Sequence, residues 1–201
     1  ALSITGVVLE MFQQFAPEMI DLLKELAETG CVEFVATPYA YSLATVYSET
    51  EAAEQLKLQQ QMVKELFGVQ STTICNTELI YSDEMAIQLY QQGYKTVMTE
   101  GAKHILSWKS PNYVYQSASA PKMKALLRNA NLSDELAFHF ADPNWYNYPM
   151  DAEKFTAQLA ALPEEEQVAN IWVDAETFGV RQHAMSGIFE FLKALPYHAM
   201  D

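Results

Sequence analysis

Residues 71–98 read STTICNTELIYSDEMAIQLYQQGYKTVM, and this stretch decides the fold. Residues 72–75 are β-branched or apolar and predict a buried strand at 71–75, and residues 96–98 predict another. Between them, Ser82 offers an N-cap for a helix, and Gly93 is placed to end it. Strand, helix, strand is the βα unit of a parallel sheet or barrel.

The same alternation continues on both sides of this stretch. Upstream we expect strands at 1–9 and 32–36 and helices at 17–28 and 49–67. Downstream, a looser stretch at 102–131 precedes helices at 152–162 and 187–195, with a strand at 168–173 between them. Repeated βα units predict an α/β fold with a parallel sheet or barrel.

Charge and composition limit the class of partner. The net charge of -14 arises from 26 acidic and 12 basic residues, and it repels both phosphate backbones and anionic membrane surfaces. We therefore expect no nucleic acid partner and no membrane partner. The two cysteines, Cys31 and Cys75, lie in apolar runs. They predict buried free thiols and a reducing, cytoplasmic compartment.

Two carboxylates follow apolar runs that are typical of strands. Glu78 comes just after the strand predicted at 71–75, and Asp174 follows the one at 168–173. In a βα barrel this position is the catalytic face, and a pair of carboxylates there is what glycoside hydrolysis requires. Glu176 is a weaker third candidate. A helix-capping or ion-pairing role for Glu78 and Asp174 stays open at this point.

Aromatic side chains in loop-like stretches form a second set of candidates. Trp108 and Trp145 lie in such stretches, where flat rings can stack against pyranose rings. Packing between strands and helices is the alternative for each ring. The four histidines show no zinc-binding spacing, so we expect no metal and no cofactor.

Four segments carry a resemblance to a known family. They are 76–83 (NTELIYSD), 99–115 (TEGAKHILSWKSPNYVY), 174–179 (DAETFG) and 187–196 (GIFEFLKALP). They resemble glycoside hydrolase family 57, specifically its α-amylase branch, and two upstream segments at 3–10 and 30–42 are also similar to it.

The resemblance implies a retaining enzyme that acts on α-glucans or maltooligosaccharides through a covalent glycosyl-enzyme, by hydrolysis or transglycosylation. It implies an incomplete (β/α)7 barrel, truncated at both ends, with residues 1–201 as a single partial catalytic domain that lacks the first strand and the C-terminal helical region. Glu78 matches the nucleophile, and Asp174 matches the general acid/base. The substrate-binding candidates are Trp108, Trp145, Tyr39, Tyr41, Glu176 and Arg181.

The chain departs from the family pattern at several polar positions. Thr37 and Tyr41 stand where the branch carries a glutamate and a histidine, and Arg181 stands where it carries a histidine. A guanidinium just past Asp174 favours the ionised form of that carboxyl and leaves less of the acid. The alternative function is therefore a catalytically weak, carbohydrate-binding relative of the same family.

Overall fold

The computed structural model describes residues 1–166 and 168–198, which group into two units, each with its own hydrophobic core. The first unit is Ala1–Glu100 with Val114–Leu126, and the second is Gly101–Tyr113 with the described residues from Leu127 onward. The predicted mixed α/β class is confirmed. The single-domain assignment stays a prediction.

The N-terminus differs from the strand predicted at residues 1–9. Strand β1 spans only Leu2–Ser3, and helix α1 spans Gly6–Phe15. Thr5 caps this helix, since its hydroxyl accepts a hydrogen bond from the Val8 amide at 3.3 Å. Gly6 and Leu9 are buried, whereas Val7 and Val8 between them are exposed. This spacing of three residues is helical, but a short apolar run in the sequence does not distinguish a helix from a strand.

The first unit continues with helices that match the sequence prediction closely. Helices at 17–28 and 49–67 are confirmed, and Ser82 caps the next helix by accepting from the Met85 amide at 3.2 Å. The elements of this unit are α2 (Pro17–Glu28), β2 (Phe34–Val35), α3 (Ala44–Tyr47), α4 (Glu49–Phe67), β3 (Thr73–Cys75), α5 (Asp83–Gln91), β4 (Thr96–Glu100), β5 (Tyr115–Gln116) and β6 (Lys124–Arg128), of which β6 ends in the second unit.

The described strands form a two-stranded sheet, β1-β2, and a four-stranded sheet in the order β3-β4-β6-β5. Neither sheet closes into a barrel within the described residues. Strand β3 runs parallel to β4 with Thr73 opposite Thr96, and a parallel bridge joins Ala36 to Ile74. Strands β5 and β6 form an antiparallel pair in the stretch that the sequence predicts to be loose.

Two hydrophobic clusters form the core of the first unit. One lies between α4, α5 and the four-stranded sheet, where Leu56, Ile74 and Leu89 have almost no exposed surface. The other packs α1 and α2 against α4 and β2. Because both faces of β3 are covered, its carboxyl end is held in a fixed position.

The second unit contains α6 (Lys103–Leu106), α7 (Ala130–Asp134), a π-helical turn (Glu135–His139), α8 (Ala152–Ala160) and α9 (Ile188–His198). The strand predicted at 168–173 is wrong, because only Asn170 makes a bridge, parallel to Arg128. Beyond it, the Trp172 amide donates to the Ser133 hydroxyl at 3.0 Å instead of joining a ladder. Leu136, Phe155, Ile188 and neighbouring residues form the core.

The cysteines are free, but only one is buried. Cys75 lies at the end of β3, and burial raises the pKa of its thiol to about 12. Cys31 is exposed, contrary to the prediction, because it follows Gly30, whose φ of 67° turns the chain away after α2. None of the described helices has the length and apolar character needed to cross a membrane.

Candidate active site

Glu78 lies three residues past β3, in a turn with unusual backbone geometry. Its φ is 54° and that of Leu79 is 55°. Two successive non-glycine residues in the left-handed region are strained, and such strain persists only where the surroundings impose it. The Thr99 hydroxyl in β4 helps to impose it by donating to the Leu79 carbonyl at 2.9 Å.

Buried polar side chains fasten the residues just before Glu78. The Asn76 amide group donates to the Ile80 carbonyl at 3.0 Å, and its oxygen accepts from the Thr45 hydroxyl at 3.0 Å. The Thr77 hydroxyl donates to the Ser42 carbonyl at 2.7 Å. Asn76 and Thr77 are 1% and 3% exposed. Hydrogen bonds made in such a dry environment hold the turn firmly.

Tyr41 contacts Glu78 directly from the loop after β2. Its hydroxyl donates to Glu78 Oε1 at 3.2 Å and accepts from the Glu78 amide at 3.4 Å. Tyr41 itself has a φ of 53°. Burial raises the pKa of the Tyr41 phenol, and the Glu78 carboxylate adds a smaller electrostatic contribution in the same direction. The structure therefore brings two of the predicted site residues together.

Tyr39 makes hydrogen bonds and a ring contact with helix α1. Its hydroxyl donates to Glu10 Oε1 at 2.6 Å, and its carbonyl accepts from the Val7 amide at 3.2 Å. Its ring lies against Gly6, where a Cβ would come within 2.0 Å of the ring. Burial and the Glu10 carboxylate raise the pKa of Tyr39 to about 12. A substrate contact through this tyrosine stays a prediction.

Asp174 precedes a short 3-10 turn (Ala175–Thr177) in the second unit and pairs with a cation. Arg181 Nη2 lies 3.0 Å from Asp174 Oδ2 and also pairs with Glu176 Oε1. The Asp174 side chain is 65% exposed. The Arg181 guanidinium also lies 5.0 Å from the ring centroid of Phe138. Asp174, Glu176 and Arg181 thus form one connected cluster.

Trp145 is anchored by a carboxylate that the sequence did not single out. Its Nε1 donates at 3.0 Å to Glu135 Oε1, which also accepts from Asn147 Nδ2 at 2.8 Å. One face of its indole stacks on His139 with a centroid distance of 3.7 Å. Glu135 is 3% exposed in a π-helical turn, and nothing in its sequence surroundings marks it as buried.

Trp108 has a different environment from Trp145. It is 87% exposed and follows Ser107, whose φ is 56°. The ring is thus accessible for stacking, as a sugar platform requires.

The predicted residues therefore fall into a Glu78 group in the first unit and an Asp174 group in the second. Glu78 follows β3, which pairs in parallel with β4, and Asp174 follows Asn170, which makes a parallel bridge to Arg128. The pairing of Glu78 with Asp174 stays a prediction. Among the residues that the structure describes, no three His, Cys, Asp or Glu side chains cluster as a metal site would require.

The sequence comparisons agree on one family. The sequence profile of glycosyl hydrolase family 57 matches residues 1–199. A Methanocaldococcus jannaschii protein named "Putative alpha-amylase" is 44% identical over 195 residues, which are 96% of this chain and 41% of that protein. The chain thus spans less than half the length of this relative.

Two solved structures share the fold. The 4-alpha-glucanotransferase from Thermococcus litoralis superposes with a TM-score of 0.76 at 18% identity, over 96% of this chain and 30% of that one. An exo-type maltose-forming amylase from Pyrococcus sp. ST04 gives a TM-score of 0.71 at 14% identity, over 98% of this chain and 34% of that one. At these identities the likeness concerns the fold alone.

Proposed function

The chain belongs to glycosyl hydrolase family 57, and from this premise we propose that it forms part of a retaining enzyme that acts on α-glucans through a covalent glycosyl-enzyme. The turn that holds Glu78 just past a parallel strand is the observation that carries the proposal. The named relatives support the substrate class. We further propose that the two described sheets belong to an incomplete (β/α)7 barrel.

In this proposal Glu78 is the nucleophile. Its ionised carboxylate attacks the anomeric carbon as the glycosidic bond breaks, and a glycosyl ester forms. Asp174 donates a proton to the departing oxygen and then removes one from the incoming water or sugar hydroxyl. Two displacements at one carbon give net retention, which requires carboxyls about 5 to 5.5 Å apart in the complete site.

The contact between Arg181 and Asp174 favours a second candidate function. Arg181 Nη2 lies 3.0 Å from Asp174 Oδ2 and occupies an oxygen that the general acid would need. If this ion pair keeps Asp174 from taking part in turnover, the chain acts as a catalytically weak, carbohydrate-binding relative.

The test uses the whole protein with maltooligosaccharides and separation of the products by chromatography. New shorter or longer saccharides with retained anomeric configuration would support the enzyme. Glu78→Gln should abolish turnover, whereas Asp174→Ala should be partly rescued by azide on a substrate with a good leaving group. Glu25→Gln is a matched control, since Glu25 is an exposed glutamate on α2.

The outcomes separate the two functions. Saccharide binding without turnover in the unmodified protein would favour the binding relative. Equal and small effects of the Glu78 and Asp174 substitutions would mean that neither carboxylate takes part in the chemistry.

A further inference from the structure

We propose that Tyr41 is a positioning residue that fixes the orientation of the Glu78 carboxylate, rather than a residue that binds sugar. The kinetic effect expected of Tyr41 rests on the function proposed above. The structural role of Tyr41 does not depend on that function, because it concerns only the contact between the two side chains.

The first argument is that one hydroxyl group engages two parts of one residue. The Tyr41 hydroxyl donates to Glu78 Oε1 at 3.2 Å and accepts from the Glu78 amide nitrogen at 3.4 Å. A single contact would leave the carboxylate free to rotate. Contacts to both the side chain and the main chain fix the carboxylate relative to its own backbone.

The second argument is the strain held on both sides of this contact. Tyr41 and Glu78 have φ values of 53° and 54°, so each occupies a region that side chains other than glycine rarely adopt. Strained residues of this kind cluster where geometry matters for function. Two strained residues that face each other form one constrained arrangement.

The third argument is that separate hydrogen bonds hold the Tyr41 loop in place. Gln55 Oε1 in α4 accepts from the Ala40 amide at 3.2 Å and from the Ser42 hydroxyl at 3.0 Å, one on each side of Tyr41. The Ser42 carbonyl then accepts from Thr77, the neighbour of Glu78. The loop is thus attached both to the helix behind it and to the turn in front.

The chemistry of this contact suits a nucleophile. A donor on Oε1 leaves Oε2 as the attacking oxygen and prevents the carboxylate from rotating away from the anomeric carbon. The phenol stays protonated at neutral pH, because burial raises its pKa and outweighs the hydrogen bond from the Glu78 amide, which lowers it. It therefore remains a donor throughout the working range of a glycosidase.

The kinetic test is Tyr41→Phe in the whole protein, which removes the hydroxyl and keeps the ring. We expect kcat to fall about 10- to 100-fold, the range for a lost hydrogen bond to a charged group, while KM changes little. Tyr47→Phe is the matched control, because Tyr47 is 81% exposed and lies nearby in α3. A raised KM with an unchanged kcat would overturn the proposal and make Tyr41 a sugar-binding residue.

The second test does not depend on activity. The Tyr41 phenol is titrated by NMR in protein labelled with ¹³C at the tyrosine ζ carbon, with and without Glu78→Gln. We expect the Tyr41 pKa to fall towards its ordinary value in the variant, because the carboxylate that disfavours the phenolate is gone. An unchanged titration would overturn the proposal. If Glu78→Gln lowers the Tyr41 pKa but the unmodified protein shows no turnover, the contact is supported and only the proposed function is contradicted.

Discussion

At the residue scale, Arg181 links two carboxylates and controls the charge around Asp174. It is 31% exposed on its side chain and contacts both Asp174 and Glu176. A general acid must be able to reach the leaving oxygen, and the ion pair with Arg181 holds the Asp174 carboxyl in place. The rate of the proposed enzyme should therefore depend on residue 181.

Replacing Arg181 by histidine tests this dependence. The substitution removes the ion pair that holds Asp174 Oδ2, so the carboxyl becomes free to contact the leaving oxygen. We expect kcat/KM at pH 7 to rise by up to about fivefold in Arg181→His, the equivalent of an exposed ion pair. The measurement is kcat/KM at pH 7, and Arg181→Lys, which keeps the charge, should stay close to the unmodified protein.

Tyr39 offers a pH prediction at the alkaline end. The folded pKa, about 12, lies above the ordinary value of 10.0, so folding favours the protonated phenol. Its contribution to stability is full below pH 10 and is lost as the pH rises from 10 to 12. We expect Glu10→Gln to lower the Tyr39 pKa, as followed by tyrosinate absorbance at 295 nm against a Tyr39→Phe reference. If Tyr39 titrates identically in the unmodified protein and in Glu10→Gln, the result would contradict the contact with Glu10.

At the element scale, the boundaries of α2 and α4 followed the sequence because their signals are local. Ser48 caps the start of α4, since its hydroxyl accepts from the Glu51 amide, and Gly68 with φ 71° caps its end. Capping of this kind is encoded within a few residues. Strand lengths were not predictable in the same way, since the ends of β1 and of the segment around Asn170 are set by partners distant in sequence.

The same distinction between local signals and contacts distant in sequence applies to the site residues. The position of Glu78 after an apolar run is visible in the sequence, but its partner Tyr41 is 37 residues away. The anchor of Trp145 by Glu135 also depends on folding, because the π-helical turn determines where that carboxylate points. The sequence therefore indicated the charged residue Glu78, whereas the hydrogen-bond partners of the site residues are determined by the tertiary fold.

The N-cap of α5 gives a stability prediction. Ser82 accepts from the Met85 amide, and α5 directly follows the turn that holds Glu78. Ser82→Ala should lower the free energy of unfolding by about 1 kcal/mol. The measurement is urea denaturation followed by circular dichroism, with the exposed Ser119→Ala as control. An effect no larger than that of the control would mean that the cap contributes nothing.

At the scale of the whole molecule, the net charge of -14 acts against compact folding. Like charges repel over about 10 Å at 0.1 M salt and over longer distances in more dilute solution. We expect the thermal midpoint to rise as NaCl is increased from about 0.01 to 0.15 M. Differential scanning calorimetry measures this change. A falling midpoint would mean that attractive pairs such as Arg181 with Asp174 outweigh the general repulsion.

The attachment of residues 2 and 4 has a consequence for synthesis on the ribosome. The Leu2 amide donates to the Glu33 carbonyl at 2.8 Å, and Gln59 Nε2 in α4 donates to the Ile4 carbonyl at 2.6 Å. Both partners are translated after the residues that they bind. Until residue 59 emerges from the exit tunnel, the segment before it can form α1 and α2 but lacks the bond to Ile4. A pause in translation before residue 59 has emerged would therefore prolong this incompletely bonded state, whereas a later pause would not.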